Sequence, residues 1–146
     1  MSGKIFVLSL GFFTFVFGCC LYYFQVFAYY EESEPLSHLM VGTRKIPVEN
    51  YRGIDSRSSG LKLRGCFKVN PKDFIGLPSP KKATPLSAPF WFRCFDHEVL
   101  QNAIDTKKAS VYLLAENEKD GIDRVIAVFE SGAAFQWRQL NSKYQE

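Results

Sequence analysis

The sequence lacks the residue patterns that mark the common catalytic sites. It contains no G-x-S-x-G, P-loop, G-x-G-x-x-G or H-E-x-x-H motif, so the enzyme classes that those motifs identify are not indicated. Only two histidines occur, His38 and His97, and neither C-x-x-C nor the haem-attaching C-x-x-C-H is present. We therefore expect a protein that is not an enzyme and that binds no cofactor.

Charged side chains are also missing from residues 5–30, which form one continuous apolar run. As a helix this run would reach roughly 39 Å, more than the ~30 Å thickness of the hydrocarbon core of a bilayer. We therefore predict a transmembrane helix over residues 5–30, preceded by a cytoplasmic tail of residues 1–4. The lipid bilayer is then the first partner of this protein.

The residues that flank the run favour one orientation. Lys4 precedes it and Glu31 follows it, so the positive-inside rule places the N-terminus in the cytoplasm and the rest of the chain outside. A signal peptide cut after Ala28 is an alternative, because Val26 and Ala28 have suitable spacing. The run is much longer than the usual apolar region of a signal peptide, which favours an uncleaved anchor.

One face of the predicted helix carries small and polar residues, namely Gly11, Thr14, Gly18 and Gln25. Small residues four positions apart let two helices approach closely in lipid, and the Gln25 amide can form a hydrogen bond across such a contact. This face predicts association with a second helix, either of the same protein or of a partner. A plain tether with small residues by chance remains the alternative.

The polar remainder predicts a stalk over residues 31–40 and a single α+β domain over residues 41–146. Pro35 prevents the helix from continuing into the stalk. In the domain, Asp96 is a candidate N-cap for a helix that ends near Lys107. Alternation of apolar and polar residues predicts strands over residues 41–48, 61–69, 110–115, 123–129 and 133–140.

These elements predict a small, mostly antiparallel sheet with the helix packed on one face. Residues 51–60 are interpreted as a loop, and Gly132 follows Glu130 and Ser131 in a turn that makes a hairpin of the last two strands. Residues 70–89 hold five of the seven prolines and predict a long irregular loop. Loops of that length are usually functional or disordered.

An aromatic cluster follows the proline-rich loop and is a candidate contact surface. It comprises Phe90, Trp91 and Phe92. The same half of the domain is basic, because residues 44–93 contain eleven Lys and Arg and only three Asp and Glu, whereas residues 94–146 contain six and nine. A basic face for anionic headgroups or an acidic partner is one interpretation, and internal pairing of the two halves is the other. The net charge of +3 does not predict a nucleic-acid partner.

The cysteines fall into two pairs. Cys19 and Cys20 lie in the predicted membrane span and are interpreted as small apolar fillers. Cys66 and Cys94 lie in the domain, and outside the cytoplasm we expect them to form a structural disulfide. Closing some 28 residues of chain would stabilise the fold by roughly 3–4 kcal/mol. The alternative is a metal-carrying or thiol-redox module that uses Cys66, Cys94 and His97.

Several segments resemble an uncharacterised alphaproteobacterial family of small single-pass membrane proteins. They are YRGIDS at 51–56, RGCF at 64–67, PLSAP at 85–89, WFRCFD at 91–96 and GIDRV at 121–125, and the similarity extends over nearly the full chain. Some members carry the label "histidine kinase", which this sequence contradicts because it lacks the length and the ATP-binding glycine motifs. The resemblance implies a Gram-negative inner membrane with a periplasmic domain, and the shared pair of domain cysteines supports the disulfide.

From these observations we predict a membrane-anchored periplasmic protein without enzymatic activity. Its expected role is that of an interaction, accessory or assembly factor for an envelope complex, with a protein partner or self-association through the membrane helix.

Overall fold

Two units, Met1–Tyr30 and Glu31–Glu146, make up the chain in the computed structural model, which describes residues 2–144. Met1 of the predicted tail and Gln145 and Glu146 of the predicted domain lie outside the described residues. The predicted fold class is confirmed, since an apolar N-terminal helix is followed by an antiparallel sheet and a second helix.

The first unit is a helix, α1 (Gly3–Tyr23), that continues as a π-helical turn over Phe24–Ala28. It begins two residues before the predicted start because the Ser2 hydroxyl caps it by accepting a hydrogen bond from the Lys4 amide. It ends two residues before the predicted end, at Ala28. No residue of α1 is buried, and the helix is long and apolar enough to span a membrane.

Over residues 31–144 the second unit contains eight strands, one α-helix and a 3₁₀ turn over Pro71–Phe74. The helix, α2, covers His97–Asp105. The strands are β1 (Glu31–Glu32), β2 (His38–Val41), β3 (Arg44–Pro47), β4 (Glu49–Asp55), β5 (Arg64–Lys68), β6 (Ala109–Lys119), β7 (Ile122–Phe129) and β8 (Ala133–Leu140).

Six of these strands form one antiparallel sheet in the order β1-β4-β5-β8-β7-β6. The strand predicted at residues 133–140 has its predicted bounds, and the predicted β7–β8 hairpin is present. Gly132 in its turn has φ +91°, a conformation that glycine adopts without strain. β2 and β3 form a separate hairpin.

Residues 31–48 differ from their prediction as a stalk followed by one strand. Instead of a stalk, β1 pairs with the end of β4, and β2 begins at His38. The single strand predicted at residues 41–48 is replaced by the β2–β3 hairpin, because Gly42 turns the chain with φ +61°. Leu39, Val41 and Ile46 of this hairpin are buried, which ties residues 38–47 to the domain.

The loop predicted at residues 51–60 is also wrong in its first half, where β4 runs to Asp55. Gly53 interrupts the apolar–polar alternation that would have predicted this strand, and the structure gives a reason for glycine at this position. Gly53 is the cross-strand partner of Gly65, and a Cβ at Gly53 would lie 2.7 Å from the Tyr51 phenol oxygen. The ring of Tyr51 thus occupies the space that a side chain at Gly53 would take, and the Gln136 side chain with the Tyr51 phenol oxygen occupies the space at Gly65.

One face of the sheet packs against the β2–β3 hairpin and the 3₁₀ turn. The buried cluster there consists of Leu39, Val41, Ile46, Val48, Tyr51, Phe67, Phe74, Leu114, Ile126, Val128 and Ala134. The buried Gln136 amide donates a hydrogen bond to the Tyr51 phenol over 2.7 Å. Desolvation by burial raises the pKa of the Tyr51 phenol, so the group is neutral where it packs.

The opposite face of the sheet carries α2 and the segment that leads into it. Phe95 makes edge contacts with Phe135 and Trp137 of β8, and Trp137 is fully buried. The predicted helix start is confirmed, since the Asp96 carboxylate accepts hydrogen bonds from the amides of Glu98 and Val99. Leu100 and Ala103 are the buried residues of α2.

Candidate functional site: a strap over the sheet

Residues 75–95 connect the 3₁₀ turn to α2 without forming a helix or a strand. We call this segment the strap. It includes most of the proline-rich loop predicted at residues 70–89 and the aromatic cluster that follows it. Because a loop of this length loses much conformational entropy when it is ordered, its contacts with the sheet decide whether it has a defined shape.

Hydrogen bonds fix the first half of the strap at two points. The Pro78 carbonyl accepts from the Leu113 amide at the edge strand β6 over 2.7 Å. Gln139, buried in β8, accepts from the Thr84 amide over 2.8 Å and donates to the Lys82 carbonyl. The prolines of this segment have no amide hydrogen and cannot take part in regular backbone pairing. The Gln139 side chain supplies hydrogen bonds to the segment instead.

Arg64 fixes the second half of the strap. Its guanidinium donates to the carbonyl oxygens of Leu86 and Ser87 in the strap, at 3.0–3.2 Å, and to those of Leu61 and Leu63 at 2.6 Å. Arg64 is only 4% exposed. Burial of a cation costs several kcal/mol unless dipoles replace water, and these carbonyl groups are such dipoles. The guanidinium carbon also lies 5.7 Å from the centre of the Phe95 ring.

The disulfide Cys66–Cys94 fixes the end of the strap. The structure contains this bond, with the two Cα atoms 6.3 Å apart and 28 residues apart in sequence. Strand alternation places Cys66 on the same face as Arg64, and Arg64 and Cys66 are the cross-strand partners of Trp137 and Phe135. A bond to Cys66 requires a partner on the face to which the Cys66 side chain points. The strap crosses this face and brings Cys94 to it.

The aromatic cluster divides between core and surface. Phe90 is 64% exposed and Trp91 is half-buried, whereas Phe92 is 5% exposed and belongs to the core. The prediction of Phe92 as a contact residue is therefore wrong. Trp91 and Phe92 pack edge to face, so the buried ring supports its neighbour. The candidate contact surface at this point consists of Phe90 and the exposed part of Trp91.

The metal-site half of the alternative does not fit the arrangement of Cys66, Cys94 and His97, and the thiol-redox half stays a prediction. The sulfur atoms of Cys66 and Cys94 are bonded to each other, and a disulfide offers no thiolate to a metal. His97 lies in the first turn of α2. Among residues 2–144 no three His, Cys, Asp or Glu side chains are grouped as ligands would be.

A cleft of about 720 Å³ lies where the strap meets the β6–β7 turn. Its lining is polar and includes Lys81, Lys82, Glu116, Asp123 and Lys143. The Asp123 carboxylate accepts hydrogen bonds from the Asn117 amide and the Asn141 side chain. Asp120 pairs with Lys143, which lowers the pKa of the carboxyl. The carboxylates of Asp120 and Asp123 thus stabilise the β6–β7 turn itself.

The predicted packing face of α1, with Gly11, Thr14 and Gly18, is not covered by other described residues of this unit. A Cβ at Gly11 or Gly18 would meet no other atom within 4 Å, and the Thr14 hydroxyl donates to the Leu10 carbonyl over 2.9 Å. The Thr14 hydroxyl is therefore paired within its own helix. Gln25 lies in the π-helical turn, whose wider winding shifts it from the position that a continuous α-helix would give. Association through this face stays a prediction.

Sequence reasoning missed the two side chains that hold the strap, Arg64 and Gln139. Arginine and glutamine are rarely buried, so neither attracts attention as a structural residue. The alternation of β5 did place Arg64 and Cys66 on one face, and that pattern was the available indication that both serve the same segment.

A comparison with protein families gives one match. The model of a family of unknown function, DUF6446, covers residues 36–146. No curated protein and no solved structure matches the chain. The predicted resemblance to an uncharacterised family is confirmed at this level, and its alphaproteobacterial origin and single-pass character stay predictions.

The contacts of Arg64 predict a large effect of a conservative substitution. Arg64→Lys keeps the charge but cannot reach carbonyls on both sides, and we expect a loss of about 2–3 kcal/mol in the free energy of unfolding. Trypsin should also cleave after Lys81 and Lys82 faster than in the native protein. The matched control is Arg57→Lys, whose side chain is 91% exposed, with an expected change below about 0.5 kcal/mol. Equal stability of the two variants would contradict the role given to Arg64.

Proposed function

Because the chain belongs to the DUF6446 family, which has no assigned activity, we propose a function from its own structure. The protein is a single-pass membrane protein of the bacterial inner membrane, and its C-terminal domain is a periplasmic interaction module without catalytic activity. It serves as an accessory or assembly factor for an envelope complex. Its partner is another protein or a second copy, reached in part through the membrane helix.

The helix Gly3–Ala28 is the observation that carries the proposal. Its mean hydropathy is 2.2 and none of it is buried. Apolar surface of this extent is not stable in water, and a bilayer is the environment that removes it from water. The second unit has its own buried core and does not need the helix for it. The helix therefore serves to localise the domain.

The orientation rests on two supporting observations. Lys4 precedes the apolar run, and the domain contains the disulfide Cys66–Cys94. Disulfides persist outside the reducing cytoplasm, so the domain belongs on the periplasmic side. The N-terminus then lies in the cytoplasm, and the anchor stays attached rather than being cut after Ala28.

Labelling with a membrane-impermeant maleimide tests the topology. In a background of Cys19→Ala and Cys20→Ala, we expect Ser131→Cys, in the exposed β7–β8 turn, to react in cells whose outer membrane alone is permeable. The control Ser2→Cys should react only after lysis. The reverse pattern would place the domain in the cytoplasm and would contradict the proposal.

Co-purification from mild detergent tests the role of the membrane helix. Leucine at Thr14 and Gly18 fills the small-residue face, so we expect Thr14→Leu/Gly18→Leu to lose the partner or the second copy by at least about fivefold. The control Phe13→Leu/Phe17→Leu changes the phenylalanine-rich face and should retain it. A lone monomer that tolerates both pairs equally would count against an assembly role for the helix.

A further inference from the structure

The strap is free of negative charge. Residues 75–95 contain no Asp or Glu, and their charged side chains are Lys81, Lys82 and Arg93, all of which are exposed. The contacts that hold the strap use its backbone carbonyls and amides, so they do not need these three charged side chains. The cations are therefore available to a ligand outside the chain, although Glu116 and Asp123 line a cleft with Lys81 and Lys82, and Asp96 and Glu98 line another with Arg93.

The strap also exposes large apolar side chains. Ile75 is 69% exposed and Phe90 is 64% exposed, against 59% for Val99 on α2 and 49% for Met40 on the β2–β3 hairpin. Trp91 adds a half-buried indole beside Phe90. Lysine and arginine combined with exposed aromatic and aliphatic side chains are the chemistry of a membrane-surface contact, in which the rings settle at the headgroup level.

The backbone of this surface is fixed before it meets a ligand. Arg64 holds Leu86 and Ser87, the disulfide holds Cys94, and Phe92 is buried between these two points. The short arch that carries Phe90, Trp91 and Arg93 is thus ordered in the free domain. Little ordering entropy remains to be lost on binding, so a few weak contacts are sufficient.

We propose that the strap binds the anionic headgroups of the bilayer in which the helix is anchored, which rests on the membrane anchor proposed above. Lys81, Lys82 and Arg93 contact lipid phosphates, and Phe90 and Trp91 enter the interface. Each cation near an anionic surface favours binding by about fivefold. The anchor supplies a high effective concentration of lipid, so three cations suffice. Glu116 and Asp123 line the same cleft as Lys81 and Lys82, and their negative charge weakens the attraction of these lysines to anionic headgroups.

The two tryptophans of the chain allow a direct measurement. Trp91 lies in the strap and Trp137 is fully buried, so Trp91→Phe leaves only the core signal for subtraction. The full-length protein is reconstituted in nanodiscs of brominated phosphatidylcholine, with or without phosphatidylglycerol. We expect bromine to quench Trp91 in the anionic discs, and high salt to relieve the quenching.

Charge reversal and a matched control separate this contact from general electrostatics. Lys81→Glu/Lys82→Glu should weaken the lipid-bound state of the strap by at least about twenty-fivefold. Lys107→Glu/Lys108→Glu, an exposed lysine pair after α2, should leave the quenching unchanged.

Three outcomes would overturn the proposal. Trp91 could show no quenching, or the same quenching in neutral and anionic discs. A photocrosslinker at position 90 could capture a protein in cells while discs give no quenching, which would assign the strap to a protein partner. Failure of the chain to enter discs would instead contradict the membrane anchor, and this result is visible before any fluorescence is measured.

Discussion

The hydrogen bonds from the buried Arg64 guanidinium to strap carbonyls are the interaction on which the domain surface depends. They turn a long proline-containing segment into a fixed layer over β5 and β8. The arginine cannot leave its site without leaving these carbonyls unpaired, and each buried unpaired carbonyl costs about 1–3 kcal/mol. The disulfide acts on the same segment at Cys94, and Gln139 acts on it at Lys82 and Thr84, so the three contacts share one task.

The two units of the chain differ in where their apolar side chains lie. The helix Gly3–Ala28 exposes apolar side chains on every face and is long and apolar enough to span a membrane, whereas the domain buries its apolar residues on both faces of a sheet. The proposed function joins these properties. An anchored domain with a rigid surface strap is suited to hold a partner or a lipid surface at the membrane, and neither task requires a catalytic group.

Local patterns were sufficient for some elements and insufficient for others. Asp96 as N-cap, the turn at Gly132 and the strand at residues 133–140 follow from neighbouring residues and were predicted. β4 was missed because Gly53 weakens the strand pattern. The reason for glycine at this position is the Tyr51 ring, which packs where Gly53 faces Gly65. The strap contacts could not be predicted, because Arg64 and Gln139 find their partners 22 and 55 residues away. Phe90 and Phe92 have the same chemistry, and only tertiary packing decides which one is buried.

Amide hydrogen exchange of the full-length protein in lipid nanodiscs measures whether the strap is an ordered layer of the domain. The Thr84 amide, which donates a hydrogen bond to the Gln139 side chain, and the Phe92 amide, which donates to the Pro89 carbonyl, should exchange far more slowly than those of an unstructured peptide. Reduction of Cys66–Cys94 should accelerate exchange near Cys94 first and leave Thr84 protected. Unprotected exchange of the Thr84 and Phe92 amides in the oxidised protein would contradict the account.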